Sequence, residues 1–281
     1  MNIGIIGLGL MGGSIALSLK GQHNIYAFDI SRESLQYALD NGVIDQAYFD
    51  LEKLLAQIDI AFLCVYPKAC ANFILENQSK FKADTIIIEI SGIKSGLVNE
   101  VIPLLRKDID LVFTHPIAGR EKIGIYHSQK SIFENQNYVI VPTKKNKKES
   151  LQIATTLAMQ MGFKNVSYLT AEEHDEIIAY TSQLAHVLAL ALMESDSQKY
   201  DTAKLIGDSF RDLTRISMIN EALWSELLIE NKEYLLPQID KMIESIGKYR
   251  TVIEAKDVES LTNLMRKAKE MRLALEKEVA E

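Results

Sequence analysis

Asn2-Ile3-Gly4-Ile5-Ile6-Gly7-Leu8-Gly9-Leu10-Met11-Gly12-Gly13-Ser14 is the stretch that decides the fold of this 281-residue chain. The apolar run to Ile6 reads as a short buried strand, and Ile15, Ala16 and Leu19 beyond the glycines keep helical spacing. Between them stands G-x-G-x-x-G. Gly7 permits a tight turn, Gly9 lets backbone approach a pyrophosphate, and Gly12 permits close packing of helix on strand. The helix start then offers N–H groups and the positive end of its dipole to that anion. The backbone of Gly7, Leu8, Gly9, Leu10, Met11 and Gly12 is accordingly the candidate phosphate cradle. A second strand, Asn24 to Phe28, ends in Asp29, 22 positions after Gly7. A carboxylate there accepts hydrogen bonds from both ribose hydroxyls and repels a 2′-phosphate, so the expected cofactor is NAD rather than NADP. Arg32 argues the other way and is a further candidate cofactor contact.

From there strands and helices alternate. Ser31 to Asn41 reads as a helix with Ser31 as N-cap and Gly42 as its stop. Ile58 to Val65 is an apolar run suited to a strand buried on both faces, ending at Tyr66-Pro67 on the cofactor side. Thr85 to Ile90 is another, followed by Ser91-Gly92-Ile93-Lys94 and a helix from Leu97 to Leu105. Then comes Val112-Phe113-Thr114-His115-Pro116-Ile117-Ala118-Gly119-Arg120-Glu121. Pro116 cannot continue a central ladder, so this strand is expected to stop at His115. Strands at Tyr138–Val141 and near Val166–Leu169, with a helix at Leu151–Met161 between them, complete the series. The alternation implies right-handed crossovers and a mostly parallel sheet, an α/β Rossmann-like dinucleotide-binding domain over residues 1–169. A lone histidine at a strand end is more often a core residue bonded to a loop carbonyl. Here Asp29, Ser91-Gly92 and His115 end three strands at one crevice, where open α/β sheets bind ligands. That convergence makes His115 a catalytic candidate and places Tyr66, Pro67, Ser91 and Gly92 beside the cofactor.

Composition bounds the rest. A net charge of −7 argues against nucleic-acid or anionic-membrane partners. Cys64 and Cys70 fit neither a disulfide framework nor a zinc pattern, so no metal is expected. No basic segment precedes the first apolar run, and the apolar stretch around Leu184 to Met193 is too short to span a bilayer. The expected location is cytoplasmic. Lys144, Lys145, Lys147 and Lys148 read as a solvated helix start.

After about residue 170 the breakers thin out: twelve of the fourteen glycines and four of the five prolines lie before it. Residues 170–281 therefore read as an all-α second domain, beginning at a Thr170/Glu173 capping box. The helix running to about Asp196 is apolar on most sides, which fits burial against a second subunit. Ser182, Gln183 and His186 share a face of it, as an internal network or as the wall of a site. Asp212 and Arg215 are i, i+3 neighbours, either a surface ion pair or a carboxylate orienting a guanidinium toward a substrate carboxylate. Trp224 is the single tryptophan. Helices at about Lys232–Ala255 and Val258–Glu278 finish the chain.

In this order, Gly7–Ser14, Ser91–Lys94, His115-Pro116-Ile117-Ala118-Gly119 with Glu121, Ser182–His186, Phe210–Arg215, and Trp224 with Glu230-Asn231-Lys232 resemble the prephenate dehydrogenase family of tyrosine biosynthesis. That family includes arogenate and cyclohexadienyl dehydrogenases, and the resemblance covers nearly the whole chain. It implies NAD-dependent oxidative decarboxylation of prephenate to 4-hydroxyphenylpyruvate by a homodimer joined through its C-terminal helices. It implies that His115 is the catalytic histidine, a general base suited to a pKa near 6.5. Arg215 then holds a substrate carboxylate with Asp212 orienting it. Glu121, His186, Gln183 and Trp224 line or gate the pocket, Trp224 reaching in from the partner subunit. Arg120 adds positive charge that favours prephenate over arogenate. Two departures stand out. The family commonly has Gly-Ser where this chain has Ser91-Gly92, so Ser91 is the candidate to assist His115. Gly207-Asp208-Ser209 replaces a triple glycine. No room is expected for an appended regulatory or mutase domain.

Competing readings are arogenate dehydrogenase, a β-hydroxyacid dehydrogenase, and a cofactor-sensing protein without catalysis. The second needs a catalytic lysine near 170–180, where Tyr180, Gln183 and His186 stand instead.

Overall fold

A computed structural model describes residues 1–280, with side chains to 276. The elements in chain order are β1 (Asn2–Ile6), α1 (Leu10–Leu19), β2 (Asn24–Phe28), α2 (Arg32–Asp40), β3 (Gln46–Ala47), α3 (Leu51–Leu55), β4 (Ile60–Leu63), α4 (Pro67–Asn77), β5 (Ile86–Glu89) and α5 (Ser95–Val101). There follow β6 (Asp110–Ile117), β7 (Asn137–Val141), α6 (Lys148–Met161), β8 (Asn165–Tyr168), α7 (Ala171–Ile178), α8 (Leu184–Glu194), α9 (Asp208–Thr214), α10 (Glu221–Glu230), α11 (Lys232–Glu254) and α12 (Val258–Ala280). They form two compact units, Met1–Lys232 and Glu233–Glu281.

The first unit is built on one eight-stranded sheet in the order β3-β2-β1-β4-β5-β6-β7-β8. All pairs are parallel except β6 with β7. Alternate residues of a strand point to opposite faces, and the core divides accordingly. Ile60 and Phe62 of β4 join one cluster with Ile15, Leu19, Leu157 and Met161 of α1 and α6. Ala61 and Leu63 join the other with Ile74, Leu97 and Val101 of α4 and α5. Helices thus cover both faces, which is why these strands read as unbroken apolar runs. The strand order reverses direction at β1/β4, opening the ligand crevice of such sheets at their C-terminal ends.

The strand carrying His115 does not stop at the histidine. β6 runs to Ile117, with Pro116 opposite Tyr138 of β7. Pairing with β5 ends at Glu89↔Phe113, so beyond that point β6 has one paired neighbour only. A proline is tolerated where one side of the strand is an edge.

Ser31 caps α2 by accepting from Ser34 N, and Gly42 follows with φ +64°. The capping box at Thr170/Glu173 is present with both of its bonds. α7 runs without a break through a π-helical turn, Ala179–Gln183, into α8. The most apolar 18-residue window of this 24-residue run has a mean hydropathy of 1.4, so the run is long and apolar enough, by length and composition, to cross a membrane. The apolar stretch at Leu184–Met193 is therefore part of a longer helix than its composition indicated. His174, Asp175 and Gln183, all in that run, are buried and hydrogen-bonded to other parts of the fold. The second unit consists of the greater part of α11 and of α12, and it leaves Ile243, Ile246, Ile253, Met265, Met271, Leu273 and Leu275 exposed.

Candidate active site

The glycine loop has the shape its sequence demands. Gly7 takes φ +95°, and a Cβ on Gly12 would stand 1.9 Å from the carbonyl oxygen of Gly7. Around Gly9 a Cβ would meet nothing within 4 Å, so the cradle is open where a phosphate would sit. Gly9 is the N-cap of α1 and supplies no side-chain cap, leaving the first-turn amides to an anion. Asp29 fixes the loop from β2: its Oδ2 accepts from Leu8 N at 2.6 Å and its Oδ1 from Ser31 N at 2.7 Å. Each carboxylate oxygen keeps a lone pair for a ribose hydroxyl. The residues present therefore fit a dinucleotide. Arg32 lies over the Phe49 ring, 5.5 Å from its centroid. Tyr66 accepts from Asn220 Nδ2 at 2.6 Å, and Pro67 is the first residue of α4.

At the neighbouring strand ends, β5 and β6, a buried polar cluster forms. Glu89 pairs with Lys94 Nζ at 2.7 Å with both side chains fully enclosed, a charge pair that tolerates loss of neither partner. Lys94 also donates to the Ser91 carbonyl at 2.6 Å, and Glu89 accepts from the Ser91 backbone amide. The Ser91 hydroxyl donates to the Ile93 carbonyl at 3.0 Å and faces Lys94 at 3.3 Å. It is thus committed to its own turn, and the expectation that Ser91 assists His115 is corrected. The matched position, Gly92, is the one near the histidine: a Cβ there would lie 3.8 Å from His115 Cε1.

His115 instead meets a second histidine. Its Nδ1 lies 2.9 Å from His174 Nε2, and His174 Nδ1 lies 2.7 Å from Asp175 Oδ1. Asp175 also accepts the backbone amides of Lys94 at 2.8 Å and Ser95 at 2.7 Å, at the start of α5. Burial alone would raise the Asp175 pKa, but the bonds from His174 and Ser95 outweigh it and hold the carboxyl below its ordinary range. His174 is completely buried, whereas His115 keeps part of its surface open to solvent. Desolvation first, then His174 and Lys94, push the His115 pKa well below 6.5, so it is neutral at pH 7 and lower than the value expected of it. His174 is also lowered, burial outweighing the opposing pull of Asp175. Neither His174 nor Asp175 was singled out from sequence. A His-Asp pair in the first turns of a helix is unremarkable until that turn is known to be buried.

A second group gathers Glu121, Arg215, His186 and Trp224. Arg215 Nη1 forms an ion pair with Glu121, not with Asp212. α9 ends at Thr214 and Arg215 begins a 3₁₀ turn, so the spacing assumed for an Asp212–Arg215 helix pair is lost. His186 Nδ1 donates to the Ser182 carbonyl at 2.9 Å, and its ring stacks on Trp224 of the same chain, centroids 3.7 Å apart. Trp224 thus meets His186 within the same chain. Burial lowers the His186 pKa against the pull of the Ser182 bond. Gln183 does not join this wall. It is 1% exposed, donates to the Leu227 carbonyl at 3.1 Å, and accepts from Asn231 Nδ2 at 2.7 Å. Asn231 donates again to the Asp175 carbonyl at 3.0 Å, tying α7 to the end of α10. Arg120 is docked on Gln129: with the Gln129 amide turned to accept, its guanidinium stands 2.6 Å from that oxygen. The Gln129 backbone in turn donates to Ser14 of α1 at 3.1 Å. Among the described residues no cluster of three or more His, Cys, Asp or Glu side chains suits a metal ion.

Comparison with known proteins matches two descriptions in succession. "Prephenate dehydrogenase, nucleotide-binding domain" matches residues 15–167, and "Prephenate dehydrogenase, dimerization domain" matches residues 170–267. The chain is 30% identical to the prephenate dehydrogenase of Bacillus subtilis (strain 168) over 95% of its own length and 74% of that protein. It is 28% identical to the cyclohexadienyl dehydrogenase of Zymomonas mobilis, over 98% and 96% of the two chains. A crystal structure of prephenate dehydrogenase from Aquifex aeolicus in complex with hydroxyphenyl propionate and NAD+ is similar over 98% of each chain, with a TM-score of 0.88 and 28% identity.

Proposed function

The chain belongs to the prephenate dehydrogenase family, a family of oxidoreductases, and from that premise we propose that it converts prephenate to 4-hydroxyphenylpyruvate with NAD as cofactor, acting as a homodimer. The observation that carries the reading is His115: a neutral imidazole in the C-terminal part of β6, just past its pairing with β5, with Nδ1 occupied and Nε2 making no bond among the described residues. In this reading residues 1–169 bind the dinucleotide and 170–281 complete the substrate pocket and the dimer.

The residues that would hold the cofactor are the backbone of Gly7 to Gly12, for its pyrophosphate, and Asp29, for its ribose. Bound there, NAD supplies the acceptor for a hydride leaving C4 of the substrate ring. His115 Nε2 takes the proton of the C4 hydroxyl as the C4–H electrons depart, so that C4 becomes a carbonyl. The C1–carboxylate bond then breaks, its electron pair aromatises the ring, and His115 returns the proton to the new phenol oxygen. The balance is one prephenate and one oxidised cofactor consumed, with one 4-hydroxyphenylpyruvate, one carbon dioxide and one reduced cofactor formed. Arg215, oriented by Glu121, is suited to a substrate carboxylate, since a guanidinium and a carboxylate match in bidentate geometry. His186 and Trp224 form the flat wall beside it.

Arogenate differs from prephenate only by an ammonium in place of the side-chain keto group. Arg120, docked on Gln129, no longer supplies an argument between the two. The test is kcat/KM for NADH formation with each substrate. A preference for prephenate supports the proposal, a strong arogenate preference replaces the substrate, and NAD binding without turnover of either points to a cofactor-sensing protein.

A further inference from the structure

We propose that His174 and Asp175 are positioning residues that fix the tautomer of His115, holding its Nδ1 proton inward so that Nε2 presents a lone pair to the substrate. The inference rests on His115 being the base of the proposed reaction, and it reaches residues that the comparisons leave unassigned.

The argument is one of proton counting. Asp175 accepts backbone amides on both oxygens, Lys94 on Oδ1 and Ser95 on Oδ2, and backbone N–H groups cannot reverse their direction. The carboxylate is therefore an acceptor toward His174, and His174 Nδ1 carries the proton between them. A neutral imidazole has one N–H, so His174 Nε2 is a lone pair. The 2.9 Å contact between that nitrogen and His115 Nδ1 needs one proton, and only His115 has it to give. His115 Nε2 is then unprotonated. The start of α5 thus sets the state of a base three hydrogen bonds away. The same direction of polarity stabilises the imidazolium formed when Nε2 takes a proton, because its charge faces Asp175 through His174. A hydrogen-bonded carboxylate that selects the working tautomer of a histidine is a known physical device. Here a second imidazole extends its reach, in a chain where Gly92 offers no hydroxyl and the Ser91 hydroxyl is turned away.

The test uses the full-length protein labelled with ¹⁵N-histidine, whose five histidines give a sparse spectrum. Two-bond ¹H–¹⁵N correlations assign the tautomer of each ring, with His115→Asn identifying the His115 signals. The expected result is Nδ1–H on both His115 and His174. His174→Leu and Asp175→Asn are expected to lower kcat about 10²-fold or more, as loss of general-base catalysis does. KM and the NAD Kd should stay within about twofold, because neither side chain is placed against ligand. His174→Gln, whose amide oxygen can accept from Nδ1, is expected to recover most of kcat. Asp175→Asn can also loosen the start of α5, so if it fails to fold, the two His174 variants decide. An Nε2–H tautomer on His115 in the wild type, or full kcat in His174→Leu, overturns the proposal. If the wild type turns over neither prephenate nor arogenate, the functional reading fails, while the spectrum still decides the tautomer.

Discussion

Residues acquire their roles here from where their protons are held. His115 is kept neutral by burial and by the nearby His174 and Lys94, which lowers its pKa well below 6.5. A base that is already neutral at mildly acidic pH works there. The acid limb of kcat/KM, which reports the free enzyme, is therefore expected below pH 6.5, and a limb at or above 6.5 would contradict the assigned surroundings. Arg215 gives a second prediction at this scale. Arg215→Lys loses the planar fork while keeping the charge, and should raise KM for prephenate by about tenfold, a cost near 1.4 kcal/mol, with NAD affinity unchanged. Steady-state kinetics with each substrate varied in turn checks it. His115 was legible in the sequence because it closes an apolar run just before Pro116, although β6 itself continues to Ile117. Its true partner was not, since His174 lies 59 positions away in an ordinary-looking helix. The Arg215–Glu121 pair, separated by 94 positions, was equally hidden, whereas the i, i+3 spacing of Asp212 misled.

Among the elements, those whose backbone dictates residue type were the most readable. The β1–α1 turn needs glycine at Gly7 for its positive φ and at Gly12 for a contact that leaves no room for a Cβ. Gly12→Ala forces helix and loop apart, and should cost about 1–3 kcal/mol of stability and abolish NAD binding, measured by thermal melting and by quenching of Trp224 fluorescence. The π-helical turn at Ala179–Gln183 was not readable, because one widened turn shifts the residues that face the core. That is why Gln183, expected beside His186, points inward to Leu227 and Asn231. Asn231→Ala leaves the Gln183 side-chain oxygen without a donor and takes from the Asp175 carbonyl its second donor beside Ala179 N, and should destabilise the fold by about 1–3 kcal/mol. Urea denaturation measures it, and an unchanged midpoint would show that the network is not needed. β6 illustrates the same limit: Pro116 stops a central strand, but the sequence does not announce that one of its neighbours has already ended.

At the scale of the whole molecule, the alternation of strands and helices made the sheet legible, and the thinning of glycine and proline made the helical region legible. The compact unit nevertheless extends to Lys232, because Asn231 and Asp175 bind later helices to the sheet-bearing part. Proton binding acts on the whole fold too. His115 and His174 both have pKa values lowered on folding, so below pH 6.5 the unfolded chain takes up protons that the folded chain refuses. Stability is therefore full above about pH 6.5 and declines as the pH falls through and below it. Asp175, also lowered, adds a loss below its ordinary value of 3.8. Melting temperatures across that range check the sign. The exposed apolar side chains of α11 and α12 fit an interface with a second copy, and light scattering should find a dimer. The central claim is that His115 is the base of an NAD-dependent dehydrogenation of prephenate. The direct measurement is NADH formation from prephenate by the wild type and by His115→Asn, with NAD affinity measured on both. The account predicts turnover by the wild type, a fall of roughly 10²–10⁴ in kcat for the variant, and an unchanged Kd for NAD. A variant that forms NADH at the wild-type rate would contradict it.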